Sequence, residues 1–128
     1  RHRRIRLMRN SPQDLHKKIL GEQGERLARK YLVKAGYKIV KTNYRTPFGE
    51  ADIVAKEGAT LVFVEVKTRT GDSYGSGAAA VDGQKRRRYV KIAQFYLLRE
   101  KFSDVNVRFD VIEVRNGQIR HIISAFGA

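Results

Sequence analysis

The chain has 128 residues, with Lys plus Arg at 27 against Asp plus Glu at 13, a net charge of +14 and no cysteine. That length describes one domain with a core large enough to fold without staples, and the missing thiols exclude disulfides and thiolate zinc sites. No apolar run approaches the roughly 20 residues of a membrane span, while so large a positive field attracts polyanions, nucleic acid before an anionic membrane.

Residues 1–10 carry five arginines, Arg3 and Arg4 among them, and no acid. No apolar stretch of the secretory kind follows them, so the expected setting is cytoplasmic, with no membrane partner. Such a run is expected to be a basic arm that grips phosphates, a solvated tail being the alternative. The arm and a helix lead-in make up residues 1–18, ahead of a domain over 19–128. Ser11 and Pro12 have the chemistry of an N-cap and first helical position. Gly21 and Gly24 weaken the first half of that helix and allow a later start near Gly21. Leu20, Gly24, Leu27, Ala28, Tyr31, Leu32 and Ala35 recur at helical spacing as one apolar stripe, and Gly36 ends it. Glu25 lies on the border of that stripe, where it can pair with Arg29 or look into a cleft.

Residues 37–45 read as a strand, 46–49 as a turn and 50–56 as a second strand. In the second strand Ala51, Ile53 and Ala55 share one face, and Glu50, Asp52 and Val54 the other. Glu57 and Gly58 form a two-residue hairpin turn. In the third strand, residues 60–69, Leu61, Phe63, Glu65, Lys67 and Arg69 share a face opposite Val62, Val64, Val66 and Thr68. A carboxylate and an ammonium inside an apolar strand are costly unless they are paired or hold a metal. Glu65 and Lys67 are therefore either a structural ion pair or the chemistry. A turn at Glu57 and Gly58 pairs Lys56 with Ala59 and sets Glu50 opposite Glu65 and Asp52 opposite Phe63. Asp52, Glu65 and Lys67 then share one face, and a one-residue slip would part them.

Residues 70–80 are Gly- and Ser-rich and read as a loop. Asp82 caps a helix over 83–101 whose core stripe is Tyr89, Val90, Ala93, Tyr96 and Leu97. Lys85, Arg86, Arg87 and Arg88 crowd its first turns against the helix dipole, a clash that a bound phosphate would relieve. A solvated basic face is the alternative. Ile92 and Phe95 fall off the stripe and are expected either as an exposed patch suited to a homodimer contact or as residues covered by the arm. Residues 105–115 form a fourth strand, Asn116 and Gly117 a hairpin turn, and residues 118–124 an edge strand.

The second helix is long enough for a right-handed crossover that makes the fourth strand parallel to the third. The expected class is α/β, a mixed five-stranded sheet with helices packed on it. Asp52 and Glu65 suit Mg²⁺ or Mn²⁺, which take one or two carboxylates together with waters and a phosphate. The carbonyl of Val66 is a further ligand candidate. Lys67 can orient a water, stabilise developing charge or, in cationic and partly buried surroundings, act as a base.

Glu25, the turn and strand Gly49, Glu50, Ala51, Asp52, the run from Val62 to Lys67 with Arg69, Lys85, and the run from Arg108 to Val111 together resemble the YraN-type family of predicted endonucleases. That family is related to archaeal Holliday-junction resolvases in the PD-(D/E)xK restriction-endonuclease-like superfamily. The resemblance covers the chain from Gly21 to Phe126. It implies an αβββαβ restriction-endonuclease-like core, metal held by Asp52 and Glu65, Lys67 as the catalytic lysine and Glu25 as the helix acid. Ala51 stands where many superfamily members have proline. The expected function is Mg²⁺- or Mn²⁺-dependent hydrolysis of DNA phosphodiesters, in branched or structured DNA during recombination or repair. Arg69, Lys85, Arg86, Arg87, Arg88 and Lys91, with Arg3 and Arg4, are the expected nucleic-acid contacts. The alternatives are a non-catalytic nucleic-acid-binding module on the same fold and a structural Glu65–Lys67 pair in a protein whose partner is acidic.

Overall fold

The computed structural model describes residues 11–70, 82–102 and 104–126. Arg3, Arg4 and the rest of the arm, with nearly all of the expected loop, lie outside them. The elements run α1 (Pro12–Lys34), β1 (Lys38–Thr46), β2 (Gly49–Glu57), β3 (Thr60–Arg69), α2 (Gly83–Arg99), β4 (Asn106–Arg115) and β5 (Gln118–Phe126). The five strands lie in sequence order in one sheet, with β3 and β4 parallel and the other neighbours antiparallel. This is the expected mixed α/β sheet. The chain leaves β3 and returns parallel to it in β4, with α2 between them. α2 lies against Val54, Leu61, Phe63, Phe109 and Val111. On the other face α1 covers Ile53, Val62, Val64, Ile112 and Val114.

α1 begins at Ser11, not near Gly21, because its first turn is doubly capped. The Ser11 hydroxyl accepts the Asp14 N–H at 3.0 Å, and Asp14 accepts the Ser11 N–H at 3.3 Å. These bonds offset the weakness of the glycines. Its buried residues are Gly24, Ala28 and Leu32, one per turn. The stripe is thus narrower than expected: Leu27 and Ala35 are exposed, and Leu20 is half-buried. Gly24 lets the helix approach closely, since a Cβ there would lie 2.0 Å from Thr68 Oγ1. Gly36, at φ +98°, ends α1, with the Tyr37 N–H donating to the Leu32 carbonyl at 2.9 Å.

Three further expectations are corrected. The β2–β3 turn is Gly58 and Ala59, with Glu57 paired to Thr60. Gly58 takes φ +58° at the first loop position, where a II′ turn places glycine. Ala51 joins the α2-side cluster with Val54 rather than the face of Ile53 and Ala55. Alternation breaks at Asp52, where the ladder sets Asn43 at φ +48° between Thr42 and Tyr44. Ile92 is fully buried in the α2-side core and is no dimer contact. The helix sits deeper in the sheet than its stripe implied. Phe95 is half-buried, its ring 6.3 Å from that of Phe48. α2 also ends two residues early, and β5 runs on to Phe126.

A second buried carboxylate organises the far side. Asp110 receives Arg108 Nε and Nη2 at 2.9 Å each, pairs with His121 Nε2 at 2.7 Å, and accepts the Ser124 N–H at 3.1 Å. The last bond fills the irregularity in the β4–β5 ladder between Phe109 and Val111. His121 Nδ1 meets the Tyr31 hydroxyl at 2.9 Å, tying α1 to β5. These bonds overcome burial and hold the Asp110 carboxyl below its ordinary range.

Candidate active site at the β2–β3 fork

The paired positions of β2 and β3 run from Glu57 and Thr60 to Ile53 and Val64, and stop there. Beyond them Asp52 Oδ2 accepts the Val66 N–H at 2.8 Å, so a side chain takes the place of the next backbone partner. The turn lies one residue later than expected, yet Asp52 still comes beside Glu65. Shifting both turn positions by one moves the pairing by two residues, which preserves the side-chain face.

Glu65 is buried, and both of its oxygens are engaged. The Tyr89 hydroxyl donates to Oε1 at 2.6 Å and Lys85 Nζ to Oε2 at 2.5 Å, with Lys67 Nζ 3.4 Å from Oε2. Lys85 and Tyr89 are one turn apart on α2, so the core packing of Tyr89 turns Lys85 over the sheet. Tyr89 read as core filling and Lys85 as a phosphate contact of the outer face. That four-residue spacing was the available signal that they act together. Burial would raise the Glu65 pKa, but the bonds from Lys85 and Tyr89 and the two ammonium charges prevail and lower it. Lys85 is raised despite burial by the same bond and charge. Lys67 is lowered, by burial and then by Lys85.

Among the described residues Asp52 makes no ion pair, and the Lys85 charge opposes its shift only weakly. Burial first, and then the charge of Glu65, raise its pKa to about 7. Glu25 is half-buried and also raised, by burial first, with Arg29 opposing and Glu50, Glu22 and Glu65 adding to the shift. Glu25 therefore feels both Arg29 and the fork acids. It lines a cleft of about 370 Å³ with Lys17, Leu20, Val66 and Thr68. The close approach at Gly24 brings it there.

The other expected contacts spread outward. Arg88 is half-buried against Gly49, where a Cβ would lie 2.6 Å from its Cδ. Arg86 lies over the Phe126 ring at 5.9 Å and Lys91 over the Phe48 ring at 5.8 Å, both on exposed side chains, and Arg87 is exposed. Arg69 faces Glu113. Among the described residues no group of three or more His, Cys, Asp or Glu side chains is gathered as a metal cage. Two carboxylates nevertheless fit a hard dication that keeps waters and takes a phosphate oxygen. No helix among the described residues is long and apolar enough to cross a membrane.

Residues 24–114 match the uncharacterised protein family UPF0102. A UPF0102 protein of Alkaliphilus metalliredigens is 46% identical over 112 residues, covering 85% of this chain and 98% of the relative. One of Geobacter metallireducens is 47% identical over 116 residues, covering 88% and 95%. One of Syntrophus aciditrophicus is 49% identical over 94 residues, covering 73% and 74%. The chain belongs to the UPF0102 family, the YraN-like group it resembled from its motifs.

Proposed function

We propose that the chain is a metal-dependent endonuclease that hydrolyses phosphodiester bonds of DNA, with Mg²⁺ or Mn²⁺ held by Asp52 and Glu65 and, as a further ligand, the Val66 carbonyl. The observation that carries this is the carboxylate pair at the fork, Glu65 buried and Asp52 half-buried. Burial first, and then the charge of Glu65, raise the Asp52 pKa to about 7, in a protein of strongly positive net charge. A bound dication lowers the pKa of its water and withdraws charge from the phosphate.

The chain's own residues supply the rest. Lys67, with its ammonium destabilised, can give up a proton at Nζ and orient or deprotonate the attacking water. Lys85 neutralises Glu65 in the free protein. Released from Oε2, its ammonium would remain beside Glu65 and Lys67 as an electrostatic partner for the phosphate. Glu25 closes the opposite wall. The exposed Arg86, Arg87 and Lys91 on α2 meet the backbone of the nucleic acid, which gives shape- and phosphate-driven binding. Branched or structured DNA in recombination or repair is the proposed substrate, and the cytoplasm the proposed setting.

One observation favours a rival. Lys85 already neutralises Glu65, as it would in a nucleic-acid-binding module without catalysis. Incubation of labelled single-stranded, duplex and four-way-junction DNA with Mg²⁺, Mn²⁺ or chelator separates the two. The proposal expects metal-dependent cleavage by the parent, lost by at least about a hundredfold in Asp52→Ala and Glu65→Ala. Cleavage equal in all three proteins would show contamination and refute it. Binding by the parent without cleavage would establish the rival.

A further inference from the structure

The tip of the β1–β2 hairpin stands next to the fork and carries an aromatic ring that the core does not absorb. Thr46 pins the turn: its hydroxyl donates to the Gly49 carbonyl at 2.8 Å and accepts the Phe48 N–H at 3.0 Å. Gly49 takes φ +134°, and a Cβ there would lie 2.6 Å from Arg88 Cδ, so the tip is pressed onto α2. The Phe48 ring meets that of Phe95 at 6.3 Å and 72°, with Lys91 Nζ 5.8 Å from its centre, and Phe48 is still 45% exposed. Arg88 follows Lys85 by less than a turn of α2 and precedes Tyr89, and those two residues hold Glu65. Phe48 therefore lies on the side of the sheet from which Glu65 is held. From Phe48 to Asp52 is four residues, about 13 Å along an extended chain. Exposed apolar side chains standing singly are ordinary. This one is fixed by its turn, flanked by cations and set beside the proposed cleavage site.

We propose that Phe48 is a platform on which an unpaired base of the substrate strand stacks, with the flanking phosphates on Lys91 and Arg88. This rests on the reading that the chain binds DNA at the fork, and it narrows the substrate to DNA with an unpaired base within a few nucleotides of the attacked phosphate. The chemistry of the patch selects that occupant. Every base has a π face that stacks on an aromatic ring whatever its identity, and cations beside the ring track the backbone. In an uninterrupted duplex each base face is already covered by its neighbours, so the ring has nothing to hold there. An apolar protein face would have to bury two cations together with the ring, at a cost that a phosphate removes. A base held at the tip fixes the register of the strand across the fork, because the turn that carries the ring runs directly into the strand that carries Asp52.

The chain has no tryptophan, so Phe48→Trp places a single fluorescent reporter at the tip. Its emission is followed in chelator, where nothing is cut. The probes are a duplex, a forked duplex with single-stranded arms, and forks in which one abasic position is moved stepwise along an arm. The fork should quench the emission and the duplex should not. An abasic position at one place, or at either of two adjacent ones, should abolish the quenching. Anisotropy titrations of the parent should show tighter binding to the fork than to the duplex, with a loss of about tenfold at that same abasic position. Phe48→Leu keeps an apolar contact on Phe95 without the π face. It should lose the position-specific penalty and keep its affinity for the duplex. Lys91→Ala should lower the salt slope for the fork by about one. Should the tryptophan variant fail to fold, the titrations of the parent and Phe48→Leu decide alone. An equal drop for fork and duplex in Phe48→Leu, or a parent indifferent to every abasic position, would show that the ring only props the hairpin and would overturn the platform alone. A parent that binds neither DNA would overturn the nucleic-acid reading with it.

Discussion

Asp52 is held by one backbone N–H, and burial first, then the charge of Glu65, raise its folded-state pKa to about 7. The sign of the effect on stability is set by proton binding. Between the ordinary value of 3.8 and about 7 the folded chain binds more protons than the unfolded one, so stability falls as pH rises through that window and the loss is complete above it. Denaturant unfolding of the metal-free protein should show this decline from about pH 5 to about pH 8. Asp52→Asn should flatten it and be the more stable protein at the upper end, by about 1–4 kcal/mol. A parent no less stable at about pH 8 than its Asn variant would mean that the Asp52 charge is already compensated. At this scale Asp52, Glu65 and Lys67 were legible, because charged side chains inside an apolar run stand out. Glu113 and Asp110 were not. Glu113 meets arginines from three strands and Asp110 meets Arg108 and the histidine of β5, and contacts between strands leave no mark within any one of them.

At the scale of elements, the site depends on how closely α1 approaches β3. Gly24 sets that distance, and its neighbour Glu25 reaches the cleft for the same reason. Alanine is the better helix former by about 1 kcal/mol. Its Cβ, however, would overlap Thr68 Oγ1, and overpacking costs about 1–3 kcal/mol. Gly24→Ala should therefore destabilise on balance, as read by thermal or denaturant unfolding. Adding Thr68→Ala should recover part of the loss, a coupling that independent sites would not show. Element types and strand order could be read from periodicity, caps and turn residues. What failed were matters decided by packing between elements. The stripe expected on α2 left out Ile92, which the sheet buries, and the stripe expected on α1 included Leu27, which is exposed. The hairpin turn was displaced because Gly58 can occupy either loop position, and only the positive φ at the first selects the register.

For the whole molecule, the excess of 14 positive charges comes mainly from α2, the arm at residues 1–10, α1 and β1. DNA affinity should therefore fall steeply with salt, with a slope of about 0.9 per phosphate neutralised on a duplex. Deleting residues 1–10 should flatten that slope in an anisotropy titration. An unchanged slope would show that the arm's five arginines make no phosphate contacts. Charge of this kind draws in nucleic acid but does not cut it. Under the proposed function, cutting would fall to the acidic fork set within that basic surface, and it requires a divalent cation to bind there. The direct measurement is Mn²⁺ titration followed by electron paramagnetic resonance, with a duplex whose linkages resist hydrolysis, on the parent, Asp52→Asn and Glu65→Gln. The parent should bind Mn²⁺ with release of protons near neutral pH, and both variants should lose that binding. A parent that takes up no Mn²⁺, or variants that take it up equally well, would contradict the account.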